Sequence, residues 1–108
     1  MSIQRIYISM NEQDMFEDEK AKRREALLEL AGEYLRQPVE AITKYDADVK
    51  QSELKQLGES IKRMADADYI LFSGDWRSDR RNKIEMACAL AYEKQILLED
   101  NQKIEEVI

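Results

Sequence analysis

The sequence predicts an α/β protein: a small Rossmann-like, three-layer fold, with a parallel sheet of about four strands and helices on both faces. Three observations carry this. Short β-branched or apolar runs alternate with longer stretches of helical spacing, in the order β, α, (β), α, β, α, β. The run Tyr69-Ile-Leu-Phe72 is apolar throughout, as suits a parallel strand buried on both faces. The chain has 108 residues and 44% hydrophobic content, enough for one core and too little for two. Residues 1–108 are therefore read as a single domain.

Ile3 to Ser9 sets Ile3, Ile6 and Ile8 around Tyr7 and reads as a buried strand. Met10 to Met15 is polar and reads as a loop. Glu17 to Leu35 reads as a helix, with Leu27, Leu28, Ala31, Tyr34 and Leu35 on one face. Asp18–Lys22 and Glu19–Arg23 add i,i+4 pairs, acid before base. On that reading the run Lys22-Arg23-Arg24 is a solvated helix face rather than a binding patch. Pro38 interrupts this helix or follows its end. Val39 to Thr43 is a weak strand signal, and Lys44 to Lys50 a loop. Ser52 is a candidate N-cap for a second helix that runs to about Asp66. Leu54, Leu57, Ile61 and Met64 form its stripe, and Gly58 marks close packing or a kink. Tyr69 to Ser73 is the next strand. A third helix runs from Ser78 or Asp79 to Lys94. Its inner stripe is Ile84, Ala87, Cys88 and Ala91, widened by Met86, Leu90 and Tyr92. So apolar a helix is buried on more than one side or forms a subunit interface. Gln95 to Leu98 is the final strand, and the tail Asp100 to Ile108 has no assignment.

Composition excludes several function classes. There are 17 basic and 23 acidic residues, a net charge of −6, which argues against a nucleic-acid polymer as partner. There is no histidine and one cysteine, so Ser–His and Cys–His catalysis and the usual zinc ligand sets are excluded. Cys88 reads as a small core hydrophobe, and no cofactor or metal is indicated. No window approaches a membrane-spanning length and the N-terminus lacks a signal pattern, so a cytoplasmic protein with no membrane partner is expected.

Ligands of parallel sheets bind beyond the carboxyl ends of the strands, at the topological switch point. Here those ends are Ser9-Met10 and Ser73-Gly74, side by side if the two strands are neighbours. The turn Gly74 to Lys83 sets Arg77, Arg80, Arg81 and Lys83 against Asp75 and Asp79 at a helix N-terminus, where backbone N–H groups favour anions. It reads as a phosphate or carboxylate site, or as a solvated loop with local ion pairs. Asp75, near the strand end, is a ligand-facing candidate. Trp76, the only tryptophan, stacks on a base or sugar, or covers the end of the core. Glu85 is the only charged residue from Ile84 to Tyr92. It reads as nucleophile or base in glycosyl transfer, or as a solvent-facing glutamate beside Arg81 and Lys83. Asp66 and Asp68 sit at a helix-to-strand corner, a common place for aspartate.

The segments Arg5-Ile-Tyr-Ile-Ser9 and Met64-Ala-Asp-Ala-Asp-Tyr-Ile-Leu-Phe72, with Gly74, Trp76, Glu85 and Ala89, resemble the nucleoside 2-deoxyribosyltransferase-like superfamily, most closely its short bacterial and phage branch. The resemblance covers residues 3–9 and 54–98 and leaves 36–52 unaligned. It implies a small Rossmann-like fold, a nucleoside or nucleotide as ligand, and a homo-oligomer, dimer or higher, with sites shared between subunits. It implies that Glu85 attacks the anomeric carbon of a deoxyribose and that Tyr7 holds Glu85. The family's aspartate near the end of the second helix, which serves the departing base, is matched by Ser60. Its glycine after the first strand is matched by Met10, and its small-residue pair before the glutamate by Arg81-Asn82. Without those small residues the pocket differs in shape, and arginines there gain the means to grip a phosphate bidentately. The expected site thus has Glu85 and Tyr7 as catalytic residues, with Ser9, Met10, Gly74, Asp75, Trp76, Arg77, Arg80 and Arg81 around the ligand. Its function is cleavage or transfer of an N-glycosidic bond, a 5′-phosphate resting on Arg77, Arg80 or Arg81. The alternatives are a nucleotide-binding module without chemistry in the same cleft, and a structural oligomer with no ligand.

Overall fold

Alternation along the strands fills both faces of one sheet. The computed structural model describes residues 2–42 and 52–107. Strands β1 (Gln4–Ser9), β2 (Val39–Ala41), β3 (Tyr69–Phe72), β4 (Ile96–Asp100) and β5 (Lys103–Val107) stand in the order β2-β1-β3-β4-β5. Helices α1 (Glu17–Leu35), α2 (Glu53–Asp66) and α3 (Arg80–Ala91) connect them. The first four strands are parallel, and β5 pairs antiparallel with β4. The fold is α/β, with a mostly parallel but mixed sheet. The loop expected at Lys44 to Lys50, and Thr43 before it, lie outside the described residues.

Successive strand residues point to opposite faces, and two apolar clusters follow. Tyr7, Ile70, Phe72 and Ile96 pack with Met64 of α2 and with Met86 and Ala89 of α3. Ile6, Leu71 and Leu97 pack with Leu27 and Ala31 of α1. Near the latter, the α1 stripe is as expected except for Tyr34, which is exposed.

Three elements differ from the sequence expectation. The unassigned tail becomes β5, because Asn101 and Gln102 take positive φ (50° and 64°) and close a two-residue hairpin. Asparagine enters that left-handed region readily, and glutamine does so at a cost of about 1–2 kcal/mol. Helix α3 starts at Arg80, after a 3₁₀ turn at Trp76–Ser78, and ends at Ala91. Its buried residues are Asn82, Glu85, Met86 and Ala89, while Ile84, Ala87, Leu90, Ala91 and Tyr92 are exposed. The apolar stripe read from the sequence therefore faces largely outward. The polar pair Asn82 and Glu85 turns inward, where hydroxyls on β1 meet Glu85 and the Asn82 amide. In α2 the buried residues are Ser60, Arg63 and Met64, and Leu54 and Ile61 are exposed.

The ends of α2 are well secured. Ser52 Oγ accepts from the Lys55 N–H at 3.3 Å, the expected cap. At the other end Lys94 Nζ donates to the Ala67 carbonyl at 2.7 Å. Asp68 Oδ2 accepts from the Arg5 N–H at 2.8 Å, fixing the corner between α2 and β3 to β1. Gly58 does not sit at a close approach: a Cβ there would meet no atom within 4 Å. Gly58→Ala should therefore stabilise the protein by about 0.5–1 kcal/mol. A higher urea midpoint at unchanged slope checks this; a lower midpoint would mean that the glycine serves packing.

Candidate active site at the carboxyl end of β1

β1 and β3 are neighbours in register Ser9↔Phe72, and the Ser73 N–H donates to the Ser9 carbonyl at 3.0 Å. The two strand ends therefore lie side by side, as expected for a switch point. Beyond β1 lies a cavity of about 110 Å³. The end of β1 contributes Tyr7, Ser9 and Met10, and the end of β2 contributes Ala41 and Ile42. Helix α3 adds Arg81, Asn82 and Glu85, with Arg63 from α2 and Arg24 from α1. Pockets for whole drug-sized ligands usually span about 300–1,000 Å³. This one has room for a compact group only.

Glu85 forms the centre of the site and is 1% exposed. Its Oε2 accepts from the Tyr7 hydroxyl at 2.5 Å, and its Oε1 from Ser9 Oγ at 2.7 Å. Ser9 Oγ also lies 3.0 Å from Asn82 Oδ1. A serine hydroxyl has one proton, so Ser9 donates to only one of these oxygens, and a carboxylate is the stronger acceptor. Asn82 Nδ2 is buried and without a partner. The two ends of an amide are assigned by their partners. A half-turn of the Asn82 amide brings Nδ2 to Ser9 Oγ as a donor. The order of donation is then Asn82 to Ser9 to Glu85, with Tyr7 donating from the other side.

Burial pushes the Tyr7 hydroxyl well above its ordinary range, and the adjacent Glu85 carboxylate pushes it further. Ser60 and Arg81 act weakly in the opposite sense. Tyr7 therefore remains a protonated donor throughout the neutral and moderately alkaline range. On the cavity wall Glu12 accepts from Arg24 Nη2 at 2.6 Å and lies 4.0 Å from Arg81 Nη2, bracketing these two cations.

Of the residues expected around a ligand, the cavity brings together Glu85, Tyr7, Ser9, Met10 and Arg81. Gly74, Asp75, Trp76, Arg77 and Arg80 lie outside it. Gly74 backs onto β4, where a Cβ would come within 3.0 Å of the Glu99 carbonyl oxygen. Asp75 accepts from Ser73 Oγ at 2.7 Å. Trp76 packs on Phe72 with ring centroids 6.0 Å apart, and Arg77 lies 4.7 Å over its ring. Arg80 is largely exposed, pairs with Glu53 at 3.2 Å, and borders a separate groove between the starts of α2 and α3. The basic turn thus covers one end of the core with Trp76 and pairs Arg80 with α2, and of its arginines only Arg81 reaches the cavity.

Four polar cavity residues had no functional assignment in the sequence: Glu12, Arg24, Arg63 and Asn82. Arg24 departs from the solvated face expected for the run Lys22-Arg23-Arg24, and so does Arg23, which binds Glu99 at 2.8 Å. A signal for Arg63 was present, since Ser60, Arg63, Met64 and Ala67 share one helix face. Ser60, the counterpart of the expected aspartate, is 1% exposed and donates to the Leu57 carbonyl at 2.8 Å. Among the described residues no helix is long and apolar enough to cross a membrane. Comparison with known proteins gave no match to a family model, to a curated protein or to a solved structure.

Proposed function

We propose that the protein cleaves or transfers the N-glycosidic bond of a deoxynucleoside or deoxynucleotide, with Glu85 as nucleophile. The observation that supports this is the fixed carboxylate: Glu85 is held from both sides by Tyr7 and Ser9 at the wall of the cavity beyond β1. A nucleophile oriented before the substrate arrives has little reorganisation left to make. A Glu85 oxygen bonds to the anomeric carbon as the carbon–nitrogen bond breaks, and that electron pair leaves with the base. The base takes its proton from solvent, because Ser60, where the resembled family has an aspartate, is no acid near neutral pH. Water, or a second base, then attacks the anomeric carbon and frees the Glu85 carboxylate.

The same proposal includes the Rossmann-like, three-layer arrangement, supported by apolar clusters on both faces of the sheet. It includes a homo-oligomer, supported by the exposed Leu54, Ile61, Ile84 and Leu90 of α2 and α3.

The test is direct. The protein at stoichiometric concentration is incubated with each deoxynucleoside and each deoxynucleoside 5′-monophosphate, with and without a second base, and the bases are separated by chromatography. Absence of both free base and exchanged base rejects the chemistry. Tyr7→Phe should lower base release about 10–100-fold and cost about 1–3 kcal/mol of stability, since one buried carboxylate oxygen loses its donor. Unchanged release from that variant would remove Tyr7 from the site.

The replacement of the expected aspartate by Ser60 favours a second reading, a nucleotide-binding module without chemistry. A nucleotide that raises the melting temperature with no base release supports that reading, because only a ligand of the folded state does so.

A further inference from the structure

Arg63 is a buried cation with no counter-ion among the described residues. It is 7% exposed, and its Nε has no hydrogen-bond partner. Arginine does not escape burial by losing its proton, and a buried charge without a partner is strongly unfavourable. The cavity it lines also holds Arg24, Arg81, Glu12 and Glu85. Glu12 neutralises Arg24 at 2.6 Å and stands 4.0 Å from Arg81. Glu85 is engaged by the hydroxyls of Tyr7 and Ser9 rather than by a guanidinium. Among the described residues the cavity thus has more positive charge than its carboxylates balance, on three arginines from three different helices.

We propose that this cavity binds an oxyanion carried by the ligand, a phosphate ester on the sugar, with Arg63 as the principal anchor and Arg24 and Arg81 beside it. The ligands are then deoxyribose phosphates and deoxynucleotides rather than free deoxynucleosides, which narrows the nucleoside-or-nucleotide class of the proposed function. The arginine fork suits a phosphate, which it meets with two parallel N–H donors. The anion site stands on the uncompensated charge alone. Only the identity of the sugar rests on the proposed glycosidic chemistry.

The experiment measures melting temperature against concentration for five probes: inorganic phosphate, 2-deoxyribose, 2-deoxyribose 5-phosphate, a deoxynucleoside and its 5′-monophosphate. The expected result is a concentration-dependent rise with the three phosphate compounds and none with deoxyribose. Arg63→Met keeps the length of the side chain and removes the charge. It should weaken 2-deoxyribose 5-phosphate binding by at least about 30-fold, the low end for truncating one partner of a buried charged pair. Lys62→Ala, a neighbouring lysine that is 75% exposed, should bind as the parent does. Arg63→Lys keeps the charge, loses the fork, and should fall between parent and Arg63→Met. Should Arg63→Met fail to fold, the parent's discrimination between deoxyribose and its 5-phosphate and the Arg63→Lys affinity decide. No response to any phosphate compound, equal responses to sugar and sugar phosphate, or a full phosphate response in Arg63→Met or Arg63→Lys would overturn the proposal. The two ideas fail separately. Phosphate binding without base release removes the chemistry and leaves the anion site, whereas equal base release from nucleosides and nucleotides removes the anion site and leaves the chemistry.

Discussion

Glu85→Gln should lower base release by about 10⁴-fold or more, the scale seen when an enzyme loses its nucleophile, and the chain should still fold. Glutamine fills the space of glutamate. Its amide oxygen accepts from one of the two hydroxyls, and its NH₂ donates to the other once that hydroxyl rotates. Glu85→Ala is a poorer test, because it opens a cavity and strands the buried hydroxyls of Tyr7 and Ser9, at about 1–3 kcal/mol for each unsatisfied group. The parent protein, quenched during turnover, should carry a sugar on the peptide that contains Glu85, and Glu85→Gln should carry none. Release within tenfold of the parent in Glu85→Gln, or a sugar attached elsewhere, would assign the chemistry to another group.

The second large effect concerns stability and lies across the sheet from the cavity. Glu99 on β4 is 5% exposed. It accepts from Arg23 Nη2 at 2.8 Å, from the Gly74 N–H at 3.0 Å and from the Gln102 N–H at 3.2 Å. One carboxylate thereby ties α1, the loop after β3 and the β4–β5 turn together. Glu99→Ala should cost about 2–4 kcal/mol, below the full figure for breaking a buried ion pair because Arg23 is 36% exposed and relaxes into water. For a domain of this size that lowers the melting temperature by about 10–25 °C. Burial alone would raise the Glu99 carboxyl. The Gly74 and Gln102 N–H donors and the Arg23 guanidinium outweigh it and hold the group below its ordinary value of 4.5. A carboxyl depressed in the folded state stabilises fully above its unfolded pKa, and that contribution fades as pH falls through the folded value. The parent should therefore lose stability below about pH 4.5 more steeply than Glu99→Gln. Parallel acid limbs for the two proteins would exclude Glu99 as the cause.

The limits of the sequence as a guide follow from the same contacts. β1 was readable from its isoleucines around Tyr7, β3 as a short apolar run, and α1 because its apolar residues keep helical spacing. In α3 the same rule misled. It assigns apolar residues to the inside, yet Glu85 and Asn82 occupy the inner face, where they meet Ser9 and Tyr7 from far along the chain. The family resemblance linked Tyr7 to Glu85, and the two side chains do meet. For Arg24, local spacing does not distinguish a guanidinium in a cavity from one in water, and for Arg63 it marks the inner face of α2 without showing that a cavity lies there. β5 was hidden because its turn needs a glutamine at positive φ, which no local preference favours.

Tyr7 and Glu85 are 78 residues apart in the chain, and Ser9 and Asn82 are 73 apart. The chain must therefore be synthesised through α3 before the first strand can meet the helix that completes the site. Closing so long a loop is entropically costly and belongs late in folding. Competence in this protein is thus a report on finished assembly: a nascent or truncated chain has the tyrosine and the serine in hand but no carboxylate to hold.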